Sequence, residues 1–214
     1  MEQRRDSAYA AQSSGEGAGR ANTVMRIAAG DDRTHYDRVA QSLHWLTALL
    51  VIAQFVLAQT WEDAARPTRH TMIVAHMSFG ILLAVVVAFR IVWRLIPGHQ
   101  MPAIVSGWVE IASKAMHYLL YSLLIVQAGL GFALRWGGNE AMNFFGLLIP
   151  SPISPLPKPA RHLIGDAHNY IGWAIIILAA AHAAAALYHH FMVKDDVLAR
   201  MLPGAQLRRR QTAA

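Results

Sequence analysis

From Ala167 to Val193 the chain carries no Lys, Arg, Asp or Glu, yet it holds His168 and His182. An imidazole in a bilayer is costly and usually marks a working site, because its ring nitrogens move protons or bind a metal. Two further histidines, His44 and His76, lie inside other apolar stretches, and His117 lies at a shallower position three residues after Lys114. His35, His70, His99 and His162 fall in loops or at helix edges and read as surface histidines. His189 and His190, beside Lys194, read as an interfacial pair and not as ligands.

Helix geometry sorts the deep group. The fourteen residues from His168 to His182 rise about 21 Å and close nearly four full turns, so both rings leave one face of the same helix. His76 opens its helix at a depth like that of His168, and His44 opens another at a depth close to that of His182. The chain therefore stacks two imidazole pairs across a membrane: His76 with His168, and His44 with His182.

A lone buried histidine is more often the partner in a helix–helix hydrogen bond, but four at two matched depths suit two b-type haems, each iron taking one histidine from either face. Zinc fits less well, since it wants four ligands, or three and water, at one point. A proton relay or transporter would more typically add intramembrane Asp or Glu; helices 1 to 3 have none in their cores and Asp166 lies at the edge of helix 4. The chain has no cysteine, which excludes disulfides, thiolate-held iron–sulfur clusters and covalent c-type haem. Gly80 and Gly172 each follow a proposed ligand by four residues, on the same helix face, and would let a flat ring approach closely. Ordinary small-residue packing between membrane helices is the competing explanation.

The elements that must position these residues are four apolar segments, at about 39–61, 71–95, 114–136 and 162–191, each near the roughly 20 residues that span a bilayer. Hydrophobic residues make up 55% of the 214-residue chain and charged residues 15%. Soluble domains run at about 45–50% and about 25%. ILLAVVVAF (81–89) and YIGWAIIILAAA (170–181) are apolar all round, which a soluble bundle would not tolerate. The expected fold is all-α: an integral membrane four-helix bundle. Residues 1–35 read as a disordered Ala/Gly/Ser-rich extension without a targeting peptide, 36–204 as the transmembrane domain and 205–214 as a basic tail. The 3–4 connection, GLLIPSPISPLPKPAR (146–161), is rich in proline yet greasy, and is expected to lie over the outer mouth of the bundle as a lid.

The net charge is +6. Its cations flank the apolar runs instead of forming one patch, so lipid headgroups explain them better than nucleic acid. Lys and Arg gather on the side of the N-terminal segment, the 2–3 connection and the tail, which places both termini in the cytoplasm. Arg66, Arg69, Lys158 and Arg161 remain outside, where they would meet haem propionates or steer a small anion. Arg38, Arg94 and Lys194 are the inner counterparts.

YDRVAQSLHW (36–45), MIVAHMSFG (72–80), GDAHNYIGW (165–173) and HAAAALYHHFMVKDDVLARMLPG (182–204) resemble the bacterial cytochrome b561 family. The resemblance covers about residues 36–204; the N-terminal extension departs from the family pattern. It implies a four-helix bundle of the bacterial inner membrane that binds two haem b groups, with His44, His76, His168 and His182 as iron ligands. His117 resembles a histidine that recurs in the family's third helix and is the alternative to His44 at the inner haem. The resemblance further implies electron exchange with ubiquinone, and most specifically superoxide:ubiquinone oxidoreductase activity. The alternatives are a quinone-linked electron carrier serving a dehydrogenase or soluble cytochrome and, in another class, a non-haem membrane transporter. No catalytic residue is assigned. The quinone site is open between the lid (146–157) and the inner interface near His117, Arg90 and Arg94.

Overall fold

The computed structural model describes residues 38–96, 107–195 and 197–202; the expected disordered extension, the proline-marked 2–3 connection and the basic tail lie outside them. Four long helices follow one another: α1 (Arg38–Thr60), α2 (Arg66–Leu95), α3 (Trp108–Gly137) and α4 (Lys158–Tyr188). Each is long and apolar enough to cross a membrane. Helices α2 and α3 have 30 residues each, about 45 Å of rise against a hydrocarbon core of about 30 Å. Their ends therefore stand in the headgroup layers.

Local chemistry sets the ends. Pro67 and Pro159 occupy the first turns of α2 and α4, where a missing N–H costs nothing and the fixed φ favours helix. Both helices thus start earlier than the apolar runs at 71 and 162. The chain leaves α4 through a single π-helical turn, His189–Val193, ended by Lys194 at φ 61°.

Helices α1 and α2 pack along one another as one helical hairpin, and α3 and α4 as a second, with thinner contact between the two hairpins. Few side chains are buried. Leu49, Ile52, Val85, Ile125 and Ile177 are all more than half exposed, which suits a lipid-facing surface. Among the described residues three polar side chains are nonetheless buried: Gln41, Thr47 and Ser78.

The 3–4 connection, expected as a proline-rich lid, runs from Gly138 to Pro157 without a helix. It contains a two-stranded antiparallel hairpin, β1 (Met142–Phe144) and β2 (Leu147–Ile149), with Phe144 opposite Leu147. Its two-residue turn places Phe145 at φ 49° and Gly146 at φ 97°. Positive φ at both central positions matches the right-handed twist of the strands. The hairpin folds back along α2 to the level of Ser78, two residues past His76. There the Phe145 N–H donates to Ser78 Oγ at 2.9 Å, and the Gly146 N–H donates to Asn143 Oδ1 at 2.7 Å. Non-helical backbone at membrane depth needs internal partners of this kind. Phe145, Leu147 and Leu148 stay more than 60% exposed, as an apolar tip facing acyl chains.

The β-hairpin marks one end of the bundle, the hairpin end; the C-terminal segment marks the opposite one, the terminal end.

Candidate functional site

The bundle gathers the deep histidines at two levels. At the hairpin end the rings of His76 (α2) and His168 (α4) lie with centres 6.3 Å apart and planes 74° apart. At the terminal end the rings of His44 (α1) and His182 (α4) lie 6.4 Å apart at 71°. His117 (α3) comes closer to His182, at 5.1 Å. Both wider pairs reach across from one helical hairpin to the other.

Ring spacing tests whether these residues fit an axial metal. With metal–nitrogen bonds of about 2 Å and each ring centre about 1 Å behind its nitrogen, two imidazoles on opposite sides of one ion stand about 6 Å apart. The 6.3 and 6.4 Å pairs meet that requirement. The 5.1 Å pair is nearly an ångström too close. Among the described residues no group of three or more His, Asp or Glu could hold a metal ion by itself. The histidine pairs therefore suit a metal whose other ligands come from a cofactor, and do not suit a bare zinc centre.

The room for such a cofactor lies between the hairpins. A half-open cavity of about 1010 Å³ contains the rings of His76 and His168 and runs on past Leu83, Ala84, Val87 and Ile175 toward the middle of the bundle. The lining is mainly apolar, as suits a large flat group. His76 Nδ1 and His168 Nδ1 are buried without a hydrogen-bond partner.

Gly80 and Gly172 also line the cavity. What stands directly against each is a glutamine. A Cβ on Gly80 would meet Gln54 Nε2 at 2.7 Å, and one on Gly172 would meet Gln127 Nε2 at 3.3 Å. Gly131, in α3, faces the His168 ring instead, with a Cβ there 3.3 Å from His168 Cε1. Gln54 and Gln127 escaped the sequence reading, although a signal was present. Each follows a histidine by ten residues, His44 in α1 and His117 in α3.

Hydrogen bonds at the terminal end distinguish its three histidines. Arg90 Nη2 stands 2.9 Å from His44 Nδ1. A guanidinium only donates, so this contact makes Nδ1 the acceptor and leaves the His44 ring proton on Nε2. His117 Nδ1 donates to the Ser113 carbonyl at 2.6 Å, which presents its Nε2 lone pair. Trp45 Nε1 donates to the Met201 carbonyl at 2.8 Å, drawing the C-terminal segment over α1 beside His44. His189 Nδ1 pairs with Asp195 Oδ2 at 2.6 Å, away from the ring pairs.

The outward cations divide as well. Arg161 lines the main cavity, and its Nε is buried without a partner. Lys158 and Arg161 line an adjoining pocket of about 300 Å³ with His162 and Asp166. Arg69 instead pairs with Glu62 at 2.7 Å, which cancels its charge, and Arg66 lines neither pocket. Arg135, at the end of α3, lines the main cavity with its ion-pair partner Glu140. Of the four cations expected, Arg161 and Lys158 line these pockets, while Arg69 is paired and Arg66 stands apart from both.

The family described as Prokaryotic cytochrome b561 matches residues 35–204. Over 172 residues the chain is 30% identical to "Cytochrome b561 homolog 2" of Escherichia coli (strain K12), covering 78% of this chain and 90% of that protein. It is 28% identical over 175 residues to "Probable superoxide oxidase CybB" of Yersinia pestis, covering 78% of this chain and 96% of the relative.

Proposed function

The chain belongs to the prokaryotic cytochrome b561 family, a family of multi-pass, haem b-binding electron-transfer proteins of the bacterial inner membrane, and on that footing we propose that it is a di-haem superoxide:ubiquinone oxidoreductase. The observation that carries this reading is the repeated cross-hairpin spacing, 6.3 Å for His76 and His168 and 6.4 Å for His44 and His182. His76 and His168 would hold one haem and His44 and His182 the other. Each haem would supply a one-electron couple whose potential the surrounding residues tune. The four turns of α4 between His168 and His182 set the two levels about 21 Å apart along the helix.

Charge bias orients the bundle, with both termini and the terminal end in the cytoplasm and the hairpin end outside. Superoxide is a small anion, so Arg161 and Lys158 at the hairpin-end mouth would raise its local concentration. Two superoxide ions give up one electron each and leave as dioxygen; ubiquinone takes the two electrons and two protons to become ubiquinol. The apolar cavity wall excludes water from the electron path, and the relative named for superoxide oxidase supports this choice of donor.

The test is a haem-resolved redox titration of the purified protein, followed by superoxide-driven ubiquinone reduction. Two reducible haems and ubiquinol formed at one per two superoxide ions are expected. Two haems without superoxide-dependent quinone reduction would refute the enzyme assignment and leave an electron carrier for a protein partner. An absorption spectrum without a Soret band would refute haem binding altogether.

A further inference from the structure

The two helical hairpins repeat one another. Helix α1 carries His44 and, ten residues on, Gln54; helix α3 carries His117 and, ten residues on, Gln127. Helix α2 carries His76 and, four residues on, Gly80; helix α4 carries His168 and, four residues on, Gly172. The contacts repeat with the sequence. Gln54 Nε2 donates to the His76 carbonyl at 3.0 Å, and Gln127 Nε2 donates to the His168 carbonyl, also at 3.0 Å.

Glycine makes room for these bonds. Inside a helix the carbonyl of residue i already accepts from the N–H of residue i+4, and its second lone pair is normally shielded by the side chain at i+4. With Gly80 and Gly172 at i+4 that side is open, and the glutamine amide occupies it. A Cβ at Gly80 would meet that amide nitrogen at 2.7 Å, below any real contact, and one at Gly172 would meet it at 3.3 Å.

His76 Nδ1 and His168 Nδ1 are buried without a hydrogen-bond partner, as are Gln54 Oε1 and Gln127 Oε1. A ring that gives its Nε2 lone pair to iron must carry its proton on Nδ1, and that proton seeks an acceptor. Each glutamine side chain would hold its histidine through the backbone carbonyl, from the helix beside it.

We propose that Gln54 and Gln127 are paired positioning residues for the hairpin-end haem, fixing the height and rotation of the His76 and His168 imidazoles from the helix beside each ligand. The inference rests on the haem-ligand reading above. At the terminal-end pair His44 Nδ1 meets Arg90 instead. The effect of the glutamines is therefore confined to one haem.

The test uses the full-length haem-loaded protein and three variants: Gln54→Leu, Gln127→Leu and Gly80→Ala. The readouts are the midpoint potential of each haem and the largest g value of its low-spin EPR signal, which follows the angle between the two imidazole planes. Each leucine variant is expected to retain two haems and to shift the potential and g value of the haem that His76→Ala removes. The other haem should stay unchanged. Gly80→Ala should reproduce the Gln54→Leu shift, because its Cβ displaces the amide, and should add nothing in a Gln54→Leu background. Unchanged g value and potential in both leucine variants would overturn the proposal, as would equal shifts of both haems. If a leucine variant loses the hairpin-end haem, Gly80→Ala decides: a shifted signal from a retained haem supports the positioning role, and a wild-type signal overturns it. A wild-type protein whose haem survives His76→Ala would instead defeat the ligand reading, which separates the two failures.

Discussion

Ser78 is the residue whose loss should be felt farthest from its own helix. It is fully buried, at 0% exposure. Its Oγ accepts from the Phe145 N–H at 2.9 Å and has the carbonyls of Val74, at 2.8 Å, and Asn143, at 3.2 Å, as acceptors for its own proton. Ser78→Ala leaves the Val74 carbonyl its helical bond but strands the Phe145 N–H at a depth where water is scarce. An unsatisfied buried donor costs about 1–3 kcal/mol. Phe145 is a poor residue for this turn, since a bulky side chain at φ 49° is strained. The Ser78 bond and the edge contact between the Phe79 and Phe145 rings, 5.9 Å between centres, hold it there.

That cost falls on local opening of the hairpin and not on the bundle, because the four helices do not share the lost bond. The opening equilibrium should rise by roughly 5- to 150-fold. Hydrogen exchange read by mass spectrometry reports it directly: peptides across 142–149 should lose protection by that factor in Ser78→Ala, while peptides from α1 and α4 keep theirs. Adding Phe145→Gly, which removes the strain and retains the N–H, should restore part of the protection. Wild-type protection of 142–149 in Ser78→Ala would refute the claim that this bond seats the hairpin.

Alanine at His76 or His168 should remove one haem and alanine at His44 or His182 the other, read as loss of one of two steps in the redox titration; two steps in His44→Ala with one in His117→Ala would move the second ligand to α3. The superoxide rate constant should fall as salt rises from low to physiological strength, where the screening length drops to about 8 Å, and Arg161→Gln should lower the low-salt rate and flatten the slope; a salt-independent wild-type rate would rule out steering. Gly172→Ala should hold or raise the thermal midpoint, because helix gains about 0.5–1 kcal/mol on replacing glycine and a 3.3 Å contact can relax; Gly80→Ala should lower it, and the reverse order would refute the assigned contacts.

Hydropathy and helical arithmetic were enough to place the four spans and to pair the histidines by depth, since both are consequences of bilayer thickness and a 1.5 Å rise. The same signal misplaced the helix starts. Hydropathy reports the bilayer and not the helix, so Arg66–His70 and the turn at Trp108 lay outside the apolar windows although both are helical. The β-hairpin was illegible for another reason. Its strands have three residues each, too few for alternation to show, and its turn puts Phe where Asn or Asp would have signalled a positive φ. The charge pattern could not tell which cations are paired. Whether Arg69 is neutralised by Glu62, or Arg135 by Glu140, depends on which connection folds back on which helix.

The repeat between the hairpins also explains where the two histidine levels differ. Fourteen residues beyond His76 on α2 stands Arg90; fourteen residues beyond His168 on α4 stands His182. At the hairpin end both halves offer a histidine, a glycine and a glutamine, and the two ligands are held alike. At the terminal end α1, α3 and α4 offer His44, His117 and His182, and α2 offers a cation. Two criteria then pull apart. Ring spacing selects His44, at 6.4 Å from His182, over His117, at 5.1 Å. Hydrogen bonding selects His117, whose proton is already on Nδ1, over His44, whose Nδ1 faces Arg90. The spacing is the stiffer of the two. Moving the His44 proton to Nδ1 requires Arg90 to give up one hydrogen bond, worth about 1.5–3 kcal/mol when a charged group takes part. Widening the His117–His182 gap requires α3 and α4 to part along a closely packed seam, against many contacts at once. Ring spacing thus favours the proposed assignment of His44, with Arg90 beside it, and the His44→Ala and His117→Ala titrations decide between the two.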